Sequence, residues 1–436
     1  MTPVAIGFAG LIAVVVLLAL RVPIAVGLGS VAIVGILAIR GPGAAFGALG
    51  EITYDFAANW ELSAVPMFLL LGSIAFHSGI TNSLYTAARV FLNRLPGGLA
   101  VATNLACAGF AALSGSSIAT AAAMARLSVP EMLRAGYQKE LATGTVAAAG
   151  TLGVLIPPSI PFVIYGWYTE QPIGKLLIAG VIPGLMTAAF YTALIIGRCI
   201  ANPKLAPRIE VEVSRAEKWR VLREVWPLPV LIVVMTGGIY GGITTPTEAG
   251  AFGAFCTLIV AAVRRKLSWK IFVTSVFQAA QTTATIFFIA IGAILLTRFL
   301  AIAGVPQYLV GAIGDLALNP LTLVLCMTVI YLVLGCFLDS IGLMLLTLPI
   351  FLPMFRALHL DLIWLGVLVV KFLEIGVLTP PVGLNVYVVK EASGNSVDLA
   401  TVFRGVSWFL ACEVVIVTLL IAFPQISLYL PSLMGP

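Results

Sequence analysis

GVLTPP, residues 376–381, repeats in the second half of the chain the pattern of GVLIPP, residues 153–158. Each copy follows another interruption of apolar sequence, LSGSS at 113–117 and GCFLDS at 335–340. The two interruptions are spaced almost as the two Pro-Pro pairs are. A proline pair removes two backbone donors and breaks a helix. Two matched pairs at one spacing therefore indicate an internal repeat.

The composition is that of a membrane protein. Of the 436 residues, 61% are hydrophobic and only 10% are charged, whereas soluble domains are about 45–50% apolar and about 25% charged. Backbone polar groups find no water in lipid, and no period-2 alternation is present, so the long apolar runs are predicted to span the membrane as helices. The predicted spans are Phe8–Leu20, Val22–Ile39, Leu62–Phe76, Leu176–Ile200, Leu228–Ile243, Ala249–Val263, Thr282–Ile302 and Val402–Phe423.

Charge, cysteine and histidine usage disfavour other classes of protein. The net charge of +6 is typical of a membrane protein with basic cytoplasmic loops, and we expect no nucleic-acid partner. The six cysteines form no C-x-x-C pair, and neither of the two histidines, His77 and His359, lies in an H-E-x-x-H motif. The sequence contains no P-loop and no G-x-S-x-G motif. It therefore predicts neither an enzyme nor a bound cofactor.

Two basic loops predict part of the topology. Arg198–Arg223 and Arg264–Lys270 flank a pair of predicted spans that are joined by the turn Thr244–Glu248. Because cytoplasmic loops are enriched in Lys and Arg, both basic ends are predicted to face the cytoplasm and the turn to face the other side.

The same region contains two local signals. Thr245 is predicted to cap a helix that restarts at Pro246, with Glu248 in its first turn. The polar stretch 201–226 is predicted to be a linker that ends in an amphipathic helix and separates the two halves of the chain.

The interruption Ser114–Ser117 is predicted to be the tip of a re-entrant hairpin. Its apolar flanks are each too short to cross a membrane, its small hydroxylated residues offer oxygen ligands, and a helix N-terminus at the tip favours an anion. The alternative is close helix packing by small residues. Asp339, beside the matching interruption, is an ionisable residue at membrane depth and is therefore a functional candidate.

The Pro-Pro pairs are predicted to unwind their helices. The carbonyls freed at Gly153–Ile156 and Gly376–Thr379 suit a hard cation such as Na⁺, the alternative being a plain kink. Lys371 and Glu374 are expected to pair on one helix face, the alternative being a role in substrate binding. Arg298 either contacts an anionic substrate or snorkels to the interface. Repetition with matched helix breaks is typical of a secondary transporter that binds its substrate near the midplane.

These motifs resemble those of one family over nearly the whole chain. They are LSGSS at 113–117, IPPSIP at 156–161, GITTPTEA at 242–249, FLD at 337–339 and IGVLTPPVGLN at 375–385. In these stretches the chain is similar to the large, DctM-like membrane subunit of tripartite ATP-independent periplasmic (TRAP) transporters. The resemblance implies an all-α polytopic membrane protein, like the ion-transporter superfamily, with two inverted repeats, re-entrant hairpins and broken helices. It also implies that a mobile transport domain moves elevator-fashion against a scaffold.

The resemblance implies an activity and partners as well. The expected activity is Na⁺-coupled uptake of small organic acids, such as C4-dicarboxylates or sialic acids, across the bacterial inner membrane. The expected partners are a small four-helix membrane subunit, which should be a separate chain, and a soluble periplasmic substrate-binding protein.

The motif match assigns site residues, with Na⁺ as coupling ion and no cofactor. One Na⁺ site falls on Ser114, Ser117, Gly153, Ile156 and Pro158, and the other on Gly335, Asp339, Gly376 and Thr379. The substrate site falls on Ser114, Gly115, Ser116, Thr120, Pro157, Ser340 and Pro380. At Thr120 the chain departs from family members, which often carry Asp there.

The resemblance and the polar linker divide the chain into six segments. Residues 1–95 are expected to form N-terminal scaffold and arm helices, 96–200 the first transport segment and the following span, and 201–226 the linker. Residues 227–318 are expected to form the second scaffold and arm helices, 319–400 the second transport segment, and 401–436 the C-terminal span.

Three other transport classes are compatible with parts of the pattern. A channel would not need two matched breaks with cation-type ligands. The permease of an ATP-driven importer would need a cytoplasmic coupling loop and a separate ATPase. A single-chain symporter of Na⁺ and divalent anions shares the repeat, and dependence on a binding protein would separate it from a TRAP transporter.

Overall fold

The computed structural model describes residues 2–207, 214–315 and 319–434, and every regular element in these ranges is helical. The helices of the first half are α1 (Pro3–Ala19), α2 (Ile24–Arg40), α3 (Pro42–Ala57), α4 (Ala64–His77), α5 (Ile80–Leu92), α6 (Gly98–Ser114), α7 (Ser117–Arg134), α8 (Lys139–Gly150), α9 (Leu152–Leu155), α10 (Ile160–Thr169), α11 (Ile173–Ala179) and α12 (Val181–Ala201). Those of the second half are α13 (Arg215–Val225), α14 (Pro227–Tyr240), α15 (Pro246–Val263), α16 (Trp269–Ala303), α17 (Val305–Asp315), α18 (Pro320–Gly335), α19 (Ser340–Ala357), α20 (Leu362–Gly376), α21 (Leu384–Ala392), α22 (Leu399–Ala422) and α23 (Gln425–Ser432). Short 3₁₀ turns lie at Glu61–Ser63, Pro203–Leu205 and Gly394–Ser396.

Several helices have the length and composition of membrane spans, which confirms the prediction of an all-α polytopic membrane protein. In the described residues six segments qualify, namely Ile173–Ala201, Arg215–Tyr240, Pro246–Val263, Trp269–Ala303, Ser340–Ala357 and Leu399–Ala422. The number rises to eight if two bent pairs each count as one span, Pro42–Ala57 with Glu61–His77 and Lys139–Leu155 with Ile160–Thr169. These pairs bend by 59° and 41°.

The longest helix corrects one predicted boundary. The sequence placed a span at Thr282–Ile302 after a basic loop, whereas α16 begins at Trp269 and runs for 35 residues. Ser268 caps it, because its hydroxyl accepts a hydrogen bond from the backbone N–H of Ile271 at 3.2 Å. The polar residues between positions 278 and 285 hid the first part of this helix from a search for apolar runs.

Both predicted interruptions are breaks between helices. The first lies where α6 ends at Ser114, Gly115 adopts a φ of +60°, and α7 begins at Ser117. Glycine accepts this left-handed conformation at little cost, which lets the chain reverse within two residues. The second lies where α18 ends at Gly335 and α19 begins at Ser340.

The two Pro-Pro pairs also lie between helices, as predicted. The first separates the end of α9 at Leu155 from the start of α10 at Ile160. The second follows the end of α20 at Gly376 and precedes the start of α21 at Leu384. Both Pro-Pro peptide bonds are cis. Because proline has no N–H, the carbonyls before each pair lose the donor that a continuous helix would supply. At the second pair the prediction of freed carbonyls is wrong for Gly376 and Val377, because their oxygens accept from the backbone N–H groups of Thr379 at 3.0 Å and Asn385 at 3.1 Å.

The turn between α14 and α15 has the predicted cap. The Thr245 hydroxyl accepts from the backbone N–H of Glu248 at 3.3 Å, and the Glu248 carboxylate accepts from the backbone N–H of Thr245 at 2.8 Å. This reciprocal pair is a capping box. Thr247 is buried in the turn, whereas Ile243 before it is 82% exposed.

The polar linker contains the predicted amphipathic helix. This is α13, in which Val221 and Val225 are buried against neighbours that include α5, while Trp219 and Arg223 are exposed. Residues 208–213 of the linker and the predicted segment boundary at 318 lie outside the described residues.

Glycines bring backbones into direct contact at several helix crossings, two of which concern the breaks and the C-terminal span. A Cβ on Gly144 in α8 would lie 2.7 Å from the Cα of Gly405 in α22, and a Cβ on Gly376 in α20 would lie 2.7 Å from the Cα of Gly335 in α18. Small residues allow such close approach between helices in a membrane. The second crossing holds the second interruption directly against the second Pro-Pro break.

Candidate functional site

A cavity of about 510 Å³ lies between the two interruptions and α16. Gly115, Ser116 and Ser117 form the wall from the first interruption, and Asp339 and Ser340 form the wall from the second. Small-molecule sites typically enclose about 300–1,000 Å³. Residues far apart in the chain therefore meet at one cavity of a size suited to a small solute.

The first tip is held by its own hydroxyl groups. The hydroxyls of Ser114 and Thr120 hydrogen-bond each other at 2.8 Å, and the Thr120 hydroxyl also lies 2.8 Å from the carbonyl oxygen of Ser116, to which it donates. Both hydroxylated side chains are buried. Thr120 thus positions the tip from behind rather than lining the cavity.

The first Pro-Pro break lies directly against this tip. A Cβ on Gly153 would lie 2.6 Å from the carbonyl oxygen of Ser116, and a Cβ on Gly115 would lie 2.9 Å from the carbonyl oxygen of Pro158. Ile156, the last residue before the prolines, has extended backbone with φ −83° and ψ 125°. The structure therefore brings the tip and break of the first predicted Na⁺ site together; that it binds Na⁺ stays a prediction.

The second tip and break form a similar arrangement. The Asp339 carboxylate caps α19 by accepting from the backbone N–H of Gly342 at 3.0 Å. The Thr379 hydroxyl donates to the carbonyl oxygen of Ile375 at 2.7 Å. The carbonyl oxygen of Pro380 accepts from the Cys336 thiol at 3.2 Å. All the atoms predicted to coordinate Na⁺ at this second site are oxygen atoms, the ligand type that Na⁺ prefers. That the site binds Na⁺ stays a prediction.

The predicted substrate residues divide into two groups. Gly115, Ser116 and Ser340 line the cavity. Those that do not line it are Ser114, Thr120, Pro157 and Pro380. Ser117 and Asp339, predicted as ion ligands, lie on the cavity wall. Arg298 is exposed and absent from this wall, which favours the snorkelling interpretation over substrate contact.

One face of α16 is a part of the cavity that the sequence analysis missed. Its polar lining residues are Gln278, Gln281, Thr282 and Thr285. Their spacing of three or four residues places them on one side of a helix. A periodicity search through residues 269–303 could have found them, because a polar stripe inside a membrane helix has no lipid-facing explanation.

The predicted pairing of Lys371 with Glu374 is wrong. The Lys371 ammonium donates to the Glu413 carboxylate at 2.8 Å and to the Thr187 hydroxyl at 3.0 Å. Tyr191 donates its phenolic proton to the same Glu413 carboxylate. Spacing along one helix identified Lys371 and Glu374 as neighbours, but it contains no information about α22, which supplies the carboxylate nearer to the ammonium group.

Glu374 instead contacts the second tip. The Ser340 hydroxyl donates to Glu374 Oε1 at 3.1 Å. The Ser117 side chain, from the first tip, faces the same carboxylate. One acidic side chain therefore lies behind the two serines that separate it from the cavity.

The chain matches a family model described as the tripartite ATP-independent periplasmic transporter, DctM component, over residues 11–426. The C4-dicarboxylate TRAP transporter large permease protein DctM of Pseudomonas aeruginosa is 35% identical over 390 residues, which cover 88% of each protein. The sialic acid TRAP transporter large permease protein SiaM of Vibrio cholerae is 32% identical over 376 residues, covering 86% of this chain and 87% of the relative.

The fold is also similar to a solved transporter. The crystal structure of the Alcanivorax borkumensis YdaH transporter aligns with a TM-score of 0.65, covering 92% of this chain and 91% of that one, at 17% identity. This likeness concerns the fold alone. The family match over nearly the whole chain and the two permease relatives show that the chain belongs to the DctM component family of tripartite ATP-independent periplasmic transporters.

Proposed function

We propose that the chain is the permease of a Na⁺-coupled importer of small organic acids that depends on a soluble binding protein. We place it in the bacterial inner membrane, with a small four-helix membrane subunit and a periplasmic binding protein as partners. Relatives named for C4-dicarboxylate and sialic acid transport support a carboxylate substrate.

The observation that carries this proposal is the position of two helix N-termini. The first residues of α7 and α19, Ser117 and Ser340, both line the cavity. Helix N-termini have a positive partial charge, which favours an anion. At α19 the Asp339 carboxylate already accepts from the N–H of Gly342. A carboxylate would therefore be held between the two tips.

Asp339 gives a reason for cation coupling. Its carboxylate lies on the same cavity wall as the proposed anion site, and two like charges at close range repel. A Na⁺ ion bound between the tip and the broken helix would offset this repulsion. Substrate and ion binding would then favour each other, as symport requires.

We further propose that the two halves are inverted repeats and that the segments with the breaks move as one body against the remaining helices. The matched breaks at both tips and the close crossing of Gly335 with Gly376 support such a unit. In this elevator mechanism the cavity between the tips would carry the solute across the bilayer.

Reconstitution tests the proposal. Proteoliposomes with this chain, the small subunit and a substrate-loaded binding protein should accumulate labelled dicarboxylate or sialic acid under an inward Na⁺ gradient. A K⁺ gradient of equal size is the control, and internal or external ATP should change nothing.

Three results would contradict the proposal, each pointing to another class. Uptake by the chain without a binding protein would indicate a single-chain symporter. Uptake that requires ATP would indicate an ATP-driven importer. Non-saturable flux would indicate a channel.

A further inference from the structure

Three charged side chains are buried in the described part of the chain: Lys371, Glu374 and Glu413. Lys371 and Glu413 form an ion pair at 2.8 Å. Glu374, only 1% exposed, remains without a cationic partner at ion-pair distance among the described residues. If all three are charged, the buried cluster has a net charge of −1. A buried carboxylate without compensation costs several kcal/mol, so Glu374 is neutralised either by a proton or by a bound cation.

The Glu374 carboxylate has a free oxygen. Oε1 accepts from the Ser340 hydroxyl at 3.1 Å, whereas Oε2 is buried and has no hydrogen-bond partner within the described residues. The Ser117 side chain faces the same carboxylate. Serine side chains from α7 and α19 thus face the buried carboxylate of α20.

We propose that Glu374, Ser117 and Ser340 form a third cation site, which takes Na⁺ and shares only Ser117 with the two sites assigned by the motifs. The inference builds on the proposed Na⁺ coupling. An ion here neutralises the buried cluster and uses the free Oε2 as a ligand. Carboxylate and hydroxyl oxygens are the ligands that hard monovalent cations accept, and a charged ligand is worth more than a neutral one when both are dehydrated.

The location connects this ion to the solute. Ser117 and Ser340 line the cavity and also face Glu374. A cation at Glu374 therefore lies one side chain away from an anion held by the tips. Each would strengthen the binding of the other, and the two tips would be joined through a single ion.

Equilibrium ²²Na⁺ binding to the purified full-length chain tests the site without transport. Glu374→Gln keeps the shape and one acceptor but removes the charge, so the number of Na⁺ bound per chain should fall by about one. Glu391→Gln, a matched change at an exposed position of α21, should bind as the wild type does. Glu374→Asp keeps the charge with a shorter reach, and should keep the stoichiometry with weaker affinity.

Infrared difference spectroscopy gives a second measurement. Addition of Na⁺ should shift a carboxylate band in the wild type and in Glu391→Gln but not in Glu374→Gln. An unchanged Na⁺ stoichiometry in Glu374→Gln would overturn the inference, as would a protonated-carboxyl band that persists in saturating Na⁺ and disappears in that variant.

The outcomes separate this inference from the proposed function. If Thr379→Val lowers Na⁺ binding and Glu374→Gln does not, Na⁺ coupling stands and the third site fails. If uptake ignores the Na⁺ gradient while Glu374→Gln still loses one bound ion, the third site stands and the coupling proposal fails.

Discussion

At the scale of single residues, Lys371 and Glu413 form an ion pair in the interior of the protein. Both side chains are almost fully buried, and Thr187 and Tyr191 supply further hydrogen bonds to them. Such a pair stabilises little by itself, because desolvation offsets the attraction, but the loss of one partner leaves an uncompensated charge.

Lys371→Met should therefore destabilise the protein by about 3–5 kcal/mol, because Glu413 would be left buried and unpaired. The double variant Lys371→Met/Glu413→Gln should recover part of this loss. Thermal unfolding in detergent measures the effect, and Lys204→Met at an exposed position is the control. Equal thermal stability of Lys371→Met and the control would contradict the buried pairing.

A second residue-scale prediction concerns Thr379 and Ser114. Loss of one neutral ligand costs about 1–3 kcal/mol, or about 5- to 150-fold in affinity. Thr379→Val and Ser114→Ala should raise the Na⁺ concentration for half-maximal uptake by that factor at normal expression. Thr418→Val is a matched control, because its hydroxyl makes the same bond to a preceding carbonyl on exposed α22 surface. A wild-type Na⁺ titration in both site variants would show that these residues are not ion ligands.

At the scale of elements, the close helix crossings determine which helices are held together, as the breaks determine where helices end. The crossing of α8 and α22 has no room for a side chain at Gly144, because the backbone of Gly405 occupies that space. This crossing joins a helix of the first half to one of the second. It therefore connects the first Pro-Pro segment, which continues α8, to the C-terminal span.

Gly144→Ala should destabilise the protein by about 1–3 kcal/mol through overpacking. Gly47→Ala is the matched control, because its position in α3 has open space within 4 Å and alanine favours helix by up to about 1 kcal/mol. Detergent melting temperatures should fall for the first variant and hold or rise for the second. A stable Gly144→Ala protein would mean that the two helices are able to separate without cost.

The features predictable from sequence were those with a local cause. The Thr245 cap, the helix ends at Ser114 and Gly335 and the breaks at both Pro-Pro pairs all follow from backbone chemistry within a few residues. The partner of Lys371 could not be predicted, because it depends on which helix packs beside α20. The polar stripe of α16 has helical spacing, but its side chains interrupt the apolar run that indicates a membrane span.

At the scale of the whole molecule, the orientation in the membrane follows from the basic loops. The turn before α15 should lie on the non-cytoplasmic side of the membrane. Thr247 is buried in this turn, so the exposed Ile243 is the better reporter. Ile243→Cys in a cysteine-free variant should react with an impermeant thiol reagent added to intact cells. Lys266→Cys, exposed after α15, should react only after the membrane is opened. The reverse pattern would invert the predicted topology.

The length of α16 has a consequence for the surrounding lipid. At about 1.5 Å per residue, its 35 residues extend for about 52 Å, whereas the hydrocarbon core is about 30 Å thick. A straight helix of this length either lies steeply oblique in the bilayer or projects from it, and a change in acyl-chain length alters that inclination. Its polar stripe forms one side of the solute cavity. Bilayer thickness should therefore affect the shape of the cavity. Initial uptake rates, measured in liposomes of graded acyl-chain length, should pass through an optimum.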